Sequence, residues 1–345
     1  MLCTILKEPF YINENSKTYD VVPFGATDLY VSRFCQGTVF RSLPDLKDKL
    51  RAIDHCIYSG VNFFDSSNAY GDAEITLGKA IAGKRDGLVI CTKVHPFYPP
   101  KNENDIPVNA SFTREFLSTQ VDTALKRLGT DYIDLYLLHN PDGVTRYDDL
   151  VENMDNLVQK GKIRYWGLSN HSGKQINELA DIAESKRCSI ISGAECYYTI
   201  AGVGTLNSKM LSKWNINCES LIGTSRIRWL EKETFPVINS RNIGLLAYSP
   251  MDQGYLSPGK ETDPDSPLHL LINTIDGIAA RIDVTRAQLC YAWVSARPEV
   301  TSVLGGPETP LQIDEAISGS NMILPIEILD RLNKASRTYS ETQKE

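Results

Sequence analysis

One repeated pairing narrows the fold more than any other feature. A short, β-rich apolar run is followed by a stretch with apolar residues at helical spacing, again and again along the chain. Runs 61–65, 88–92, 132–138, 163–168, 190–195, 244–248 and 300–304 read as strands. The helical patterns after them fall at 73–82, 114–128, 147–159, 172–185, 231–240, 267–297 and 310–318. Run 30–35 with pattern 45–59 adds a further unit at the front, making eight. In that first helix Leu46, Leu50, Ile53 and Ile57 share a face, and Gly60 stands where a C-cap glycine belongs. Regular β-then-α alternation predicts a parallel sheet with helices outside. Eight units predict closure into a (β/α)₈ TIM barrel, with an open doubly wound sheet as the alternative. No G-x-G-x-x-G follows a strand, which weighs against the open form. Stretches 19–24 and 29–34 flank Gly25 and Asp28 and read as an N-terminal β-hairpin. The expected organisation is a loose arm over 1–17, one domain over 18–335, and a tail over 336–345.

The chemistry sits at the strand ends. VNFFDSSNAY (61–70) runs from an apolar strand into Asp65 and Tyr70, with Gly71 behind. LVICT (88–92) is followed by Lys93, and YIDLYLL (132–138) by His139. In parallel α/β folds the ligand lies beyond the carboxyl ends of the strands. Each residue alone has a plain reading: a helix cap, a packed phenol, a surface lysine, a structural histidine. Asp65 lies several residues ahead of its helix, which argues against capping. Together the four make a proton-donating phenol with a tuning group. A free tyrosine ionises near ~10. A lysine about 4 Å away, at an effective dielectric of about 20, attracts the phenolate by about 4 kcal/mol, a ceiling of roughly three pH units. Asp65 would aim Lys93, and His139 would orient a substrate oxygen. The set contains no electron source, so a hydride has to come from a cofactor.

The remaining features mostly exclude. Net charge is −7 without a basic stripe, which argues against nucleic acid. The eight cysteines lack C-x-x-C spacing and read as reduced, mostly buried thiols. The histidines show no metal-ligand spacing, so no structural metal is expected. The N-terminus lacks a basic signal-peptide region, and no apolar stretch nears the ~20 residues of a membrane span. The expectation is a soluble, cytoplasmic chain, monomeric by default. Two loops, 95–112 and 199–230, leave strand ends and are long enough to act as binding loops or lids. The first carries Phe97 and Tyr98; the second carries Trp214 and Trp229. Asn102, Asn104, Asn207, Asn215 and Asn217 would suit a sugar or polyol, or simply solvated loop.

From about residue 19 to the 330s the chain resembles the aldo-keto reductase family. VNFFDSSNAYG (61–71), CTKV (91–94) and DLYLLHN (134–140) are similar to its catalytic blocks, and GKIRYWGLSNHS (161–172) and LLAYSPMDQGYLSPGK (245–260) to its cofactor blocks. The resemblance implies a (β/α)₈ barrel closed at the bottom by the hairpin. It implies an NAD(P)-dependent oxidoreductase that interconverts a small-molecule carbonyl and its alcohol. It assigns Tyr70 as general acid/base, Lys93 and Asp65 as its tuning pair, and His139 as the carbonyl-orienting residue. For the cofactor it implies Ser169 and Asn170 at the nicotinamide amide and Tyr248 stacked on the ring. Ser249, Pro250, Met251, Gln253 and Gly254 would wrap the pyrophosphate, and Gly37 and Thr38 would floor the nicotinamide. Segment 305–316 would surround the adenosine 2′ position.

Departures from the family pattern carry expectations of their own. Glu195 stands where the family usually has glutamine; it would accept a bond from the carboxamide and favour the oxidised, positively charged ring. Gly306, Pro307, Glu308 and Gln312 replace the basic clamp of a 2′-phosphate, so the family default of NADP shifts toward NAD, with Glu308 bonding the ribose hydroxyls. The alternatives are a Schiff-base lyase using Lys93, and a redox-sensing regulatory subunit on the same barrel.

Overall fold

The computed structural model describes residues 21–98, 108–109, 111–201, 230–260 and 262–342. The expected arm over 1–17 lies outside them.

A hairpin comes first. β1 (Val21–Pro23) pairs antiparallel with β2 (Tyr30–Ser32), and Gly25 takes a left-handed turn conformation at φ 55. The expected single strand over 30–35 breaks here. The Asn62 side chain accepts from Ser32 N at 2.8 Å and donates to the Tyr30 carbonyl at 2.8 Å, which holds β2 in the hairpin. Chain beyond it enters the barrel as β3 (Phe34–Gly37), whose neighbour Arg33 accepts from Val303 N.

β4 (Phe63–Asp65) and β5 (Val89–Val94) follow, then a short antiparallel pair, β6 (Phe97–Tyr98) and β7 (Val108–Asn109). Next come β8 (Ile133–Leu138), β9 (Ile163–Ser169), β10 (Ile191–Tyr197), β11 (Gly244–Tyr248) and β12 (Ser302–Gly305). The order β3-β4-β5-β8-β9-β10-β11-β12 closes on itself through parallel pairs. The (β/α)₈ TIM barrel is therefore the fold, and the open-sheet alternative falls.

The helices lie where the 3.6-residue patterns stand, and their caps explain their ends. Arg114–Leu128 starts on Thr113, whose hydroxyl accepts from Phe116 N, and ends on Gly129 at φ 64. Gly173–Lys186 opens on a Ser172–Gln175 capping box. The expected helix 231–240 differs: Leu230–Thr234 forms a π-helical turn and Phe235–Arg241 an α-helix. Pro236 has no N–H for the regular ladder, which places the change there. Pattern 267–297 splits into Pro267–Arg281 and Arg286–Ser295. Asp283 at φ 55 and a Thr285–Gln288 capping box restart the second piece.

The described C-terminus is helical. Ile326–Thr342 is one helix, so the boundary set at 335 falls inside it. Leu332, Ser336, Tyr339 and Ser340 are buried, and Asn333 accepts from Trp293 Nε1 at 2.9 Å. Residues 336–342 pack on the domain because the helix's apolar stripe continues through them.

Strand alternation divides the core in two. Phe64, Ile90, Tyr136 and Leu138 face outward and pack with the helices. Phe63, Val89, Cys91, Leu135, Leu137, Leu246 and Leu304 face inward with Phe24 of the hairpin. Phe24 is fully buried and meets Phe63 edge-on at 5.6 Å. Gly244 makes room for it: a Cβ there would lie 2.5 Å from the Phe24 ring. The hairpin thus plugs the bottom of the barrel, leaving the C-terminal mouth for the site. Among the described residues no helix is long and apolar enough to cross a membrane.

Candidate active site

The period-two alternation that points Phe63, Val89, Cys91, Leu135 and Leu137 inward points the next inward positions at the mouth. These are Asp65 on β4, Lys93 on β5, His139 just beyond β8, Glu195 on β10 and Tyr248 on β11. Register staggers them up the barrel wall: Asp65 pairs with Cys91, two residues before Lys93, and Lys93 with Leu137, two before His139. Tyr70 arrives from the turn after β4, where its N–H bonds the Ser67 carbonyl at 3.1 Å.

Lys93 is fully buried. Its ammonium donates to both Asp65 carboxylate oxygens, to Oδ2 at 2.5 Å. It also forms an ion pair with Glu195 Oε2 at 3.1 Å, outside good hydrogen-bond geometry. The ammonium sits 5.4 Å from the centre of the Tyr70 ring. The Tyr70 hydroxyl is 3.3 Å from His139 Nε2, and Ser67 Oγ holds Nδ1 at 3.0 Å. The four expected catalytic residues therefore converge. A carboxylate oxygen of Asp65, one of Glu195 and Cys91 Sγ lie within 4.8 Å of one another, a trio able to hold a cation. The Lys93 ammonium, bonded to one carboxylate and beside the other, is the cation standing there.

The electrostatics depart from the sequence expectation. Burial raises the Tyr70 phenol well above its ordinary value; Lys93 opposes this, and Asp65 and Glu195 add to it. Lysine alone was expected to pull the phenol down. Desolvation and a second carboxyl outweigh it, so Tyr70 is held firmly protonated. Burial works against a charged Lys93, yet Asp65 and Glu195 keep it well above the usual lysine range. Burial pushes both carboxyls up, Glu195 to about 8 with Asp65 reinforcing and Lys93 opposing. Asp65, gripped by Lys93 through both oxygens, is the carboxyl that stays ionised. His139 lies well below the ordinary histidine range because burial, then Lys93 and His95, oppose its charge, so its ring is neutral.

The expected cofactor residues line the same mouth, several with side chains already engaged. Thr38 donates from N and Oγ1 to the Asp65 carbonyl, at 3.0 and 2.8 Å, with Gly37 beside it. Asn170, at φ 59, donates to the His139 carbonyl at 3.0 Å and to Ser169 Oγ at 3.1 Å. It accepts from the Tyr248 hydroxyl at 2.7 Å, which fixes that ring's tip. Ser249, Asp252, Gln253 and Gly254 all have positive φ, a strained hook beginning where β11 ends. Tyr197 donates to the buried Asp252 carboxylate and pins the hook, while Pro250 accepts from Thr199 Oγ1 and Met251 packs on the core.

Three of the expected cofactor residues have partners within the protein. Glu195 aims at Lys93, because an inward residue one layer above the apolar barrel core meets the buried ammonium first. Glu308 accepts from Arg41 N at 2.6 Å and Ser42 N at 2.7 Å, tying the loop after β3 to the end of β12. Gln312 caps the helix Pro310–Ser320, accepting from Glu308 N and Thr309 N. Both side chains have structural partners, so neither carries the argument for NAD; Gly306 is exposed nearby. Sequence reasoning passed over Ser67, although its place between Asp65 and Tyr70 in one block was the available signal. Trp214, Trp229 and the loop asparagines lie outside the described residues.

The fold and site define a (β/α)₈ barrel whose C-terminal mouth holds a tyrosine, a lysine locked by aspartate, and a neutral histidine. The chain belongs to the aldo/keto reductase family, whose sequence model matches residues 41–213 and 215–337. It is similar to the uncharacterized oxidoreductase YrpG of Bacillus subtilis, 29% identical over 331 residues, spanning 90% of this chain and 93% of that protein. A probable voltage-gated potassium channel subunit beta of Oryza sativa is 26% identical, over 92% of this chain and 98% of its own. The L-glyceraldehyde 3-phosphate reductase of Escherichia coli K12 is 23% identical over 76% of this chain and 75% of its own.

Proposed function

We propose that this protein reduces a small-molecule aldehyde or ketone to its alcohol, or runs the reverse oxidation, with Tyr70 as general acid/base. The observation that carries the reading is the Tyr70 hydroxyl 3.3 Å from His139 Nε2, above a Lys93 that Asp65 holds charged. Reduction needs a proton for the carbonyl oxygen as negative charge builds there. Tyr70 is protonated and sits at the mouth, so its O–H donates. Ser67 Oγ lies 3.0 Å from Nδ1, and a neutral His139 with its proton on Nε2 would offer it to the same oxygen. Lys93 then faces the phenolate left behind.

A reduced nicotinamide, NADP or NAD, would supply the hydride. The hook 249–254, with its left-handed backbone, and the fixed Tyr248 ring suit such a group; Ser169, Asn170, Gly37 and Thr38 would complete its bed. The Schiff-base alternative fares poorly, since a nucleophilic lysine must be neutral and Lys93 is held charged. A redox-sensing regulatory role on this barrel remains the second reading, favoured by the relatives named as potassium-channel subunits.

The test is oxidation of NADPH and of NADH, each with a panel of aldehydes that includes glyceraldehyde, by wild type and Tyr70→Phe. Turnover by wild type that falls about 10²–10⁴-fold in the variant is expected. Turnover undiminished by the substitution would sink the role of Tyr70.

A further inference from the structure

We propose that Glu195 is a positioning residue for Lys93 and a proton-operated brake on Tyr70. As a neutral acid it leaves the ammonium to Asp65 and Tyr70; as a carboxylate it competes for the ammonium and opposes charge on the phenol. The inference rests on the oxidoreductase reading above and deepens it.

Three observations support it. Glu195 is 3% exposed and its Oε2 is ion-paired with Lys93 Nζ at 3.1 Å without a well-formed hydrogen bond. A buried carboxylate that shares its only cation is costlier than the neutral acid, whose O–H the Asp65 carboxylate can accept. The Lys93 ammonium is already bonded to both oxygens of Asp65, so a single cation serves two buried carboxyls. Among the described residues the groups around Glu195 offer nothing further to neutralise it. Lys93 and Cys91 come from β5, Asp65 from β4, Cys35 from β3, Cys196 from β10 and Tyr70 from the mouth. On the flanking strands Ser169 and Leu246 are its register partners, and neither titrates.

Charge counting then links the proton to the reaction. With Glu195 neutral, Lys93 and Asp65 cancel, and loss of the Tyr70 proton brings the cluster to a single negative charge. With Glu195 ionised, the same step leaves two negative charges in a desolvated site, and reduction slows. A glutamine at this position would be permanently neutral and would lack the brake.

The experiment pairs a spectroscopic readout with a rate profile, on wild type and Glu195→Gln. Infrared difference spectra of the free protein should show a protonated carboxylic C=O band that titrates near the value of about 8 to which burial and Asp65 raise Glu195. The variant should lack that band. For carbonyl reduction, wild-type kcat should fall about tenfold from about pH 7 to about pH 9, as one titration between them dictates, while the variant stays flat. Absence of the band in wild type overturns the proposal whatever the rates. The same alkaline fall in both proteins overturns the brake. A wild type that shows the band yet turns over no carbonyl overturns the oxidoreductase reading, and the brake with it.

Discussion

Replacing Glu195 by glutamine should stabilise the protein in a pH-dependent way, and the size follows from the site. Glu195 is fully enclosed and rises from the ordinary 4.5 to about 8 on folding. Between those values the unfolded chain has lost the proton while the folded chain still holds it. Folding stability therefore falls as pH rises through this window: the contribution is fully present below 4.5 and gone above about 8. At 1.36 kcal/mol per pH unit the ceiling is roughly 5 kcal/mol. Glutamine keeps the volume and the hydrogen-bonding capacity but has no proton to lose. Urea or thermal unfolding midpoints, followed by circular dichroism at a series of pH values, would read the difference. The variant and wild type should diverge with rising pH, the gap opening above pH 4.5 and levelling off above about 8. A gap that stays constant with pH would refute the reasoning, since only a titrating group produces a slope.

Other outcomes follow from the same geometry. Lys93→Met should destabilise by about 3–5 kcal/mol at neutral pH, because it strands the buried Asp65 carboxylate without its cation; the loss should shrink in acid, where Asp65 is protonated. Chemical denaturation at neutral and acid pH measures both. Gly244→Ala sets a Cβ 2.5 Å from the Phe24 ring and should lower stability by about 1–3 kcal/mol, with Phe24→Leu in the same chain restoring part of it. Gln312→Ala removes a capping-box partner and should reduce stability by about 1 kcal/mol while leaving the ratio of NADH to NADPH affinity unchanged. A changed ratio by fluorescence titration would return Gln312 to the cofactor site.

How much of this was legible in the chain depends on the range of the interaction. Asp65, Lys93 and His139 stand at the ends of apolar runs, so alternation along single strands already placed them on the inward face near the mouth. Gly60, which ends the first helix at φ 86, is equally local. Tyr70 was legible as a residue but its acidity was not: that depends first on its burial in the closed mouth, then on Lys93 and the carboxyls beside it. Glu308 read as a free ribose partner because its actual partners, the amides of Arg41 and Ser42, lie at the far end of the sequence.

The sequence by itself determined the barrel, through the repeated β-then-α period and the alternation within each strand, which act over a few residues and need no neighbour. It also marked the family and the four catalytic-type residues. Only the tertiary structure decided that β10 closes next to β9 and β11 with Glu195 aimed inward at Lys93. That meeting joins residues 93 and 195 across the barrel, and a buried charge balance belongs to the closed ring of strands, not to any one of them.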